Sequence, residues 1–347
     1  MTRTDIRLGL PSKGILRDGA LEFLANCGLK VFRPNPRQYV ATIPNLPGLT
    51  VLFQRPGDIV VGVRQGSIDF GVTGYDIVAE KAFGSDSWMM LHESLGFGPC
   101  TLNLAIPEHE EPRTMLDLSN WADELHNNGR FLRVATKFPV LTKEFLDNHR
   151  VKHYRLISPE GTLEIAPEIG FADVIADLVS SGITLRDNHL RVLEDGLILE
   201  SQACLIANRL ALQSNAQALE VAKKLLEFID AYLRAQGSFV ITANIRGASP
   251  EKIARLMFEQ KTIGGLQGPT ISRVVVRDEL QHDGGWFAIN IIVRKNEIFQ
   301  AVNELRQIGG SGVIVTPCTY IFEEEPERYQ AMLRTLAGSS PQNDRSQ

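Results

Sequence analysis

A short apolar run, a turn and an amphipathic stretch alternate along most of this chain, and that alternation admits few folds. "IRLGL" reads as a buried strand and "PSKG" as the turn after it; Leu16, Ala20, Phe23, Leu24 and Cys27 then trace one helix face, which Gly28 ends. The pattern returns in "RPGDIVVGVRQGSIDFGVTGYDIVAEKAF", where Asp58 is placed to cap a helix ending near Gly66, "IDFGV" is a strand and "TGYD" opens another helix. Strands joined through helices lie in a largely parallel sheet, so an α/β unit is implied.

After "LGFGPCTLNLAIP" a second unit of the same kind begins. "LRVAT" and "HYRLIS" read as strands, "VLTKEFLDNH" and "IAPEIGFADVIA" as helices, "DLV" as a further strand and "LRVLED" as extended chain. "SQACLIANRLALQS" and "NAQALEVAKKLLEFIDAYLRAQ" read as helical. Junctions near residues 93–107 and 190 then give one lobe of residues 1–97 and 190–236 and another of 98–189, with a cleft between them where ligands commonly bind.

Beyond Gly237 the order becomes more specific. "SFVITANI" is a strand; "SPEKIARLMFEQ" is a helix with Ser249 as cap and Pro250 in its first turn; "ISRVVV" and "WFAINIIV" are strands; "NEIFQAVNELRQIG" is a helix and "SGVIVTP" a strand. This βαββαβ order is that of a ferredoxin-like domain, assigned here to residues 237–335, with 336–347 as a flexible polar tail. Three compact parts suit 347 residues, a length at which one core has usually stopped growing.

The formal charge of −5 and the lack of a Lys/Arg stripe argue against a non-specific nucleic-acid binder. Cys27, Cys100, Cys204 and Cys318 are far apart, as expected of reduced cysteines in a cytoplasmic protein. No apolar run approaches the ~20 residues that span a bilayer, and the N-terminus lacks the apolar core of an export signal. No spacing of His and Cys suits structural zinc.

The stretch "DLVSSGITLRD" carries the clearest chemistry. Asp177 precedes Ser180, Ser181, Gly182 and Thr184, so amides and hydroxyls can converge on a phosphate while the carboxylate accepts from sugar hydroxyls. A turn with an N-capping serine fits the same residues. Lys13, Arg55 and Lys137 stand at strand or loop ends, where a parallel sheet collects functional groups, although each alone also suits a solvated surface. Glu164, ahead of an amphipathic stretch, is either a first-turn helix charge or a site acid.

Taken together, "LGLPSKGIL", "RPGDIVVGVRQGSIDFGVTGYDIVAE", "LGFGPC", "LRVATKFPVLTKEFL", "GTLEIAPEIGFADVIADLVSSGITLRDNHL", "ILESQACLIAN" and "LQGPTISRVV" with its continuation resemble the long-form ATP phosphoribosyltransferases, in order and over nearly the whole chain. The resemblance implies a bilobed catalytic part of the type II periplasmic-binding-protein kind and a C-terminal regulatory domain. It implies the first step of histidine biosynthesis, in which adenine N1 of ATP displaces pyrophosphate from phosphoribosyl pyrophosphate. It also implies feedback inhibition by histidine and assembly from dimers into hexamers. Asp177 and Glu164 then match the catalytic acids, and Ser180, Ser181, Gly182, Ile183, Thr184 and Leu185 the donor loop. Lys13, Arg55, Thr73, Asp76 and Lys137 match contacts to ATP or pyrophosphate, and Leu266, Thr270 and Gly312 the regulatory histidine pocket. Mg²⁺ would arrive on substrate phosphates without a protein cage. Ile183 departs from the family's usual Ser-Thr-Gly-Thr-Thr loop and removes a hydroxyl, which keeps open a non-catalytic binding or regulatory relative.

Overall fold

The computed structural model describes residues 5–35, 37–159, 161, 163–265, 268–275 and 285–338. They cluster into two compact units, one running to Leu226 and resuming at Glu327, the other spanning Glu227–Pro326.

The first unit opens with β1 (Ile6–Pro11), α1 (Gly14–Asn26), β2 (Val40–Thr42), β3 (Leu49–Gln54), α2 (Pro56–Gln65), β4 (Phe70–Gly74), α3 (Tyr75–Lys81) and β5 (Trp88–His92). There follow β6 (Cys100–Pro107), α4 (Met115–Asn127), β7 (Leu132–Thr136), α5 (Pro139–Asn148), β8 (Tyr154–Ile157), β9 (Val174–Val179), α6 (Ile183–Asp187), β10 (Leu190–Ser201), β11 (Ala203–Asn208), α7 (Arg209–Ser214) and the start of α8 (Ala216–Ala235).

Two sheets result, ordered β2-β3-β1-β4-β11-β5 and β10-β6-β9-β7-β8. Leaving out β2, they repeat one plan. Three parallel strands, β3-β1-β4 or β8-β7-β9, are followed by an antiparallel strand delivered by the chain as it crosses between the sheets, β11 or β6. The bilobed α/β part expected from the sequence is therefore present, with the first crossing between His92 and Cys100 and the second between Ser201 and Ala203. Sequence reading returned the chain to the first lobe at 190, but β10 pairs with β6 and belongs to the second sheet.

Two assignments differ because a short apolar run has no periodicity of its own. "ACLIAN" is not helical; it is β11, a central strand with every residue buried. Ala and Leu there favour helix, and burial on both faces between β4 and β5 overrides them. The turns after Leu163 replace the helix assigned to "IAPEIGFADVIA", whose end is the beginning of β9. Asp58 lies in the first turn of α2, while Arg55 holds the N-cap position and Pro56 starts the helix.

Glycines set how closely α2 meets its sheet. Gly9 and Gly71 are register partners on β1 and β4, and a Cβ on either would lie 3.1 or 2.5 Å from Ile59 Cγ2. A side chain at Gly71 would force α2 away and overpack the core, which typically costs 1–3 kcal/mol. This floor thereby fixes Arg55, at the start of α2, over the end of β3.

The second unit contains the rest of α8, β12 (Ser238–Gly247), α9 (Pro250–Phe258), β13 (Thr270–Arg273), β14 (Gly285–Arg294), α10 (Ile298–Gln307) and β15 (Ser311–Pro317). Its sheet order β13-β14-β12-β15, antiparallel throughout, is the ferredoxin-like arrangement. Ile253 and Met257 of α9 and Ala301 and Leu305 of α10 pack with Ile241, Ile289 and Ile291 on one face. Ser249 caps α9 as its sequence indicates, accepting from the Lys252 amide. The segment from Glu327, which forms α11 (Glu327–Gly338), clusters with the first unit and packs on β5. Residues 336–338 of the expected tail thus end this helix, and 339–347 lie outside the described residues. Among the described residues no helix is long and apolar enough to cross a membrane.

Candidate active site

Each sheet gathers candidate site residues where its parallel strands end. Lys13 is the N-cap residue of α1 after β1, Arg55 that of α2 after β3, and Lys137 follows β7; all three are exposed. The first two strand ends are tied together, since the Ser12 amide donates to the Gln54 carbonyl at 2.8 Å. The Lys137 turn is pinned by buried Thr136, whose Oγ1 donates to the Ala176 carbonyl at 3.0 Å and accepts from the Phe138 amide at 2.9 Å.

On the second sheet, β9 carries Asp177 beside Asn103 of β6 and empties into the loop Ser180–Gly182. Gly182 has φ +70°, a conformation that costs other residues ~1–2 kcal/mol, and is the N-cap of α6 without any side-chain cap bond. The Ile183 amide meets Ser181 Oγ at a long 3.4 Å. Ser180, Ser181, Ile183 and Thr184 are exposed, whereas Leu185 is buried against Leu163, Ile175 and Leu190, so only its main chain can face a ligand. Burial pushes the Asp177 carboxyl above its usual range and negative Glu164 adds to this; the Leu178 amide, donating to Asp177 Oδ1 at 2.8 Å, and Lys137 oppose it. Glu164, Asp177 and Lys137, distant in sequence, therefore share one electrostatic neighbourhood.

Thr73 and Asp76 have a different place. Thr73 is fully buried and donates to the Pro56 carbonyl at 3.5 Å. Asp76, 4% exposed, accepts from Ser201 Oγ at 2.7 Å, and its own amide donates to that oxygen at 2.9 Å. Ser201 is the register partner of Cys100, so Asp76 grips the point where both crossings run side by side. A cavity of about 520 Å³ opens there, lined among others by Tyr75, Glu93, Thr101, Ser180 and Glu200. Sequence reasoning missed these crossing residues, because only pairing of chain segments a hundred residues apart brings them together.

Burial also raises the Asp76 carboxyl, offset in part by Ser201 and the amides of Asp76 and Ile77. Ser201→Ala is expected to lower stability at pH 7 by about 1–3 kcal/mol, the cost of a buried acceptor left short of a partner. The deficit should shrink as pH falls and the carboxyl takes up a proton. Equal denaturant midpoints for both proteins at pH 7 would show the bond to be dispensable.

In the second unit Thr270, Asn290 and Thr242 are register partners across β13, β14 and β12, and Thr242 Oγ1 donates to Asn290 Oδ1 at 2.7 Å. They form a polar row on the face opposite the helices. Gly312, at φ +59°, lies at the start of β15, where an added Cβ would be 3.8 Å from Asn244 Nδ2. Leu266 lies outside the described residues.

Two α/β sheets joined by two chain crossings, with exposed cations at the strand ends and a glycine-turned loop after Asp177, define a bilobed α/β protein joined to a ferredoxin-like module. The family model for ATP phosphoribosyltransferase matches residues 55–245, and that for the C-terminal domain of the same family matches residues 235–320. The chain belongs to the ATP phosphoribosyltransferase family, in its long form. It is 44% identical over 340 residues to ATP phosphoribosyltransferase 2, chloroplastic, of Arabidopsis thaliana, covering 96% of this chain and 81% of that one. Its identity to the ATP phosphoribosyltransferase of Methanothermobacter thermautotrophicus is 34% over 312 residues, covering 90% and 97%. In fold it matches the ATP phosphoribosyl transferase (HisG:HisZ) complex from Thermotoga maritima with a TM-score of 0.50 at 22% identity, over 65% of this chain and 98% of that one.

Proposed function

We propose that this chain catalyses the family reaction at the β9–α6 loop: adenine N1 attacks the anomeric carbon of phosphoribosyl pyrophosphate, the bond to pyrophosphate oxygen breaks, and pyrophosphate leaves with the electron pair. The observation that carries this is the shared neighbourhood of Asp177, Glu164 and Lys137 beside an uncapped, glycine-turned loop. Loop amides and the hydroxyls of Ser180, Ser181 and Thr184 bind the donor's 5′-phosphate, and Asp177 accepts from its ribose hydroxyls. A ring nitrogen is already nucleophilic, so positioning and charge stabilisation are what the protein supplies.

Lys137, Lys13 and Arg55 meet the polyphosphates. Thr73 and Asp76, whose side chains are buried, support the strand end and the crossing. A divalent cation would enter on the pyrophosphate and would supply charge neutralisation to the leaving group; among the described residues no group of three or more His, Cys, Asp or Glu could hold it unaided. Thr270 and Gly312, on the sheet carrying the polar row, form part of a site for inhibitory histidine, and assembly proceeds from dimers to hexamers. No two of the four cysteines are bonded to each other, an arrangement compatible with a reducing compartment such as the cytoplasm.

Pyrophosphate release from ATP, phosphoribosyl pyrophosphate and Mg²⁺ tests the reading; folded protein that releases none sinks it. Ile183 favours one second reading, a non-catalytic relative, which calorimetric nucleotide or histidine binding without product would support.

A further inference from the structure

We propose that Glu80 is a positioning residue for the transfer: from the first lobe it caps the second-lobe helix that follows Lys137, and so sets the spacing at which the lobes present their substrate groups. This assignment rests on the proposed role of Lys137.

The sequence around α5 leaves its N-terminus incomplete. Phe138, in the N-cap position, offers no side-chain acceptor, and Pro139 has no N–H, so Val140 and Leu141 carry the first orphan amides. Both are satisfied from the other lobe. Glu80 Oε1 accepts from the Val140 amide and Oε2 from the Leu141 amide, each at 3.0 Å. A single carboxylate on two successive amides at the positive end of a helix is a charge-assisted pair with one defined geometry.

Glu80 is the penultimate residue of α3, and Asp76 near the start of that helix is bonded to Ser201 at the end of β10. This seven-residue helix of the first lobe is therefore fastened to the second sheet's chain at both ends, and acts as a strut. Lys137 stands two positions before Pro139, in the turn already pinned to β9 by Thr136. A shift of the α5 terminus must carry Lys137 with it relative to Lys13 and Arg55 on the first sheet.

The test uses the full-length chain with Glu80→Gln and Glu80→Ala. Glutamine keeps one acceptor oxygen, alanine neither. Donor kcat/KM is expected to fall in the order Glu, Gln, Ala, with Ala down roughly tenfold to a hundredfold, the range reached by sub-ångström to ångström misplacement of reacting groups. Hydrogen exchange at the Val140 and Leu141 amides should accelerate in the same order, while the melting temperature falls by only a few degrees, as loss of one helix cap of about 0.5–2 kcal/mol implies in a unit of this size.

Wild-type kcat and KM in the Ala variant would overturn the proposal, as would a rise in kcat/KM, which would make the contact inhibitory. A loss that follows melting temperature and is not partly rescued by Gln would do the same. Should the wild-type chain turn nothing over, the transfer reading fails by itself. The strut is then judged by the calorimetric Kd for phosphoribosyl pyrophosphate, expected to weaken from Glu to Gln to Ala; unchanged Kd values would dispose of it.

Discussion

Asparagine at position 177 is expected to lower kcat/KM for phosphoribosyl pyrophosphate by about a hundredfold while leaving the KM for ATP within about twofold of wild type. A carboxylate accepting two sugar hydroxyls makes bonds to a charged group, each worth ~1.5–3 kcal/mol; the amide keeps the shape, loses the charge and turns one acceptor into a donor. The effect should fall on the donor because Asp177 sits on β9 immediately before the proposed phosphate loop, whereas Lys13 and Arg55 belong to the other sheet. Steady-state kinetics with each substrate varied in turn decide the matter. An unaltered dependence on donor concentration removes Asp177 from the site.

The same residue gives a pH signature whose sign can be worked out. Burial, assisted by Glu164, raises the folded-state pKa of Asp177 above its unfolded value, with Lys137 opposing. In the proposed role the ionised acid is the acceptor, so donor kcat/KM should fall on the acid side with a midpoint above that of a free aspartate, and Asp177→Asn should flatten that limb. For stability the raised pKa works the other way. The folded state binds the proton more tightly, so this group favours folding at low pH, and that contribution is lost as pH rises through its folded pKa. At neutral pH the Asn variant should therefore melt no lower than wild type while being the poorer enzyme.

How much of this was legible in the chain depends on how local each signal is. Ser249 with Pro250, and Gly66 at φ +75°, mark helix ends through nearest-neighbour chemistry, and they stand where the sequence puts them. The βαββαβ order needs only the sequence of elements, and it too is present. β11 was not legible: nothing inside "ACLIAN" says that β4 and β5 will flank it, and this misassignment moved the second crossing from 201–203 to 190. α11 lies beyond the last ferredoxin strand, and its place on β5, with Arg328 paired to Glu93, depends on a partner more than two hundred residues away. Among site residues, exposed cations at strand ends could be anticipated from topology. The burial of Thr73, Asp76 and Leu185 could not, because each is hidden by residues that arrive from elsewhere in the chain.

Ile183→Thr is expected to tighten donor use, lowering the KM for phosphoribosyl pyrophosphate by about tenfold to a hundredfold, the ~1.5–3 kcal/mol of one added hydrogen bond to a charged group. Ile183 opens α6 directly after Gly182 and its side chain is 53% exposed, so removing it sacrifices little buried apolar surface. Threonine has the β-branch of isoleucine and adds a hydroxyl next to Thr184 at a helix start without a side-chain cap bond. Valine, nearly the same shape without the hydroxyl, separates hydrogen bonding from bulk. The Val variant should keep the wild-type KM and the Thr variant should not. Matching KM values in the two would mean that the loop holds the phosphate through main-chain amides alone, and that the departure at position 183 is a substitution the glycine-turned backbone tolerates.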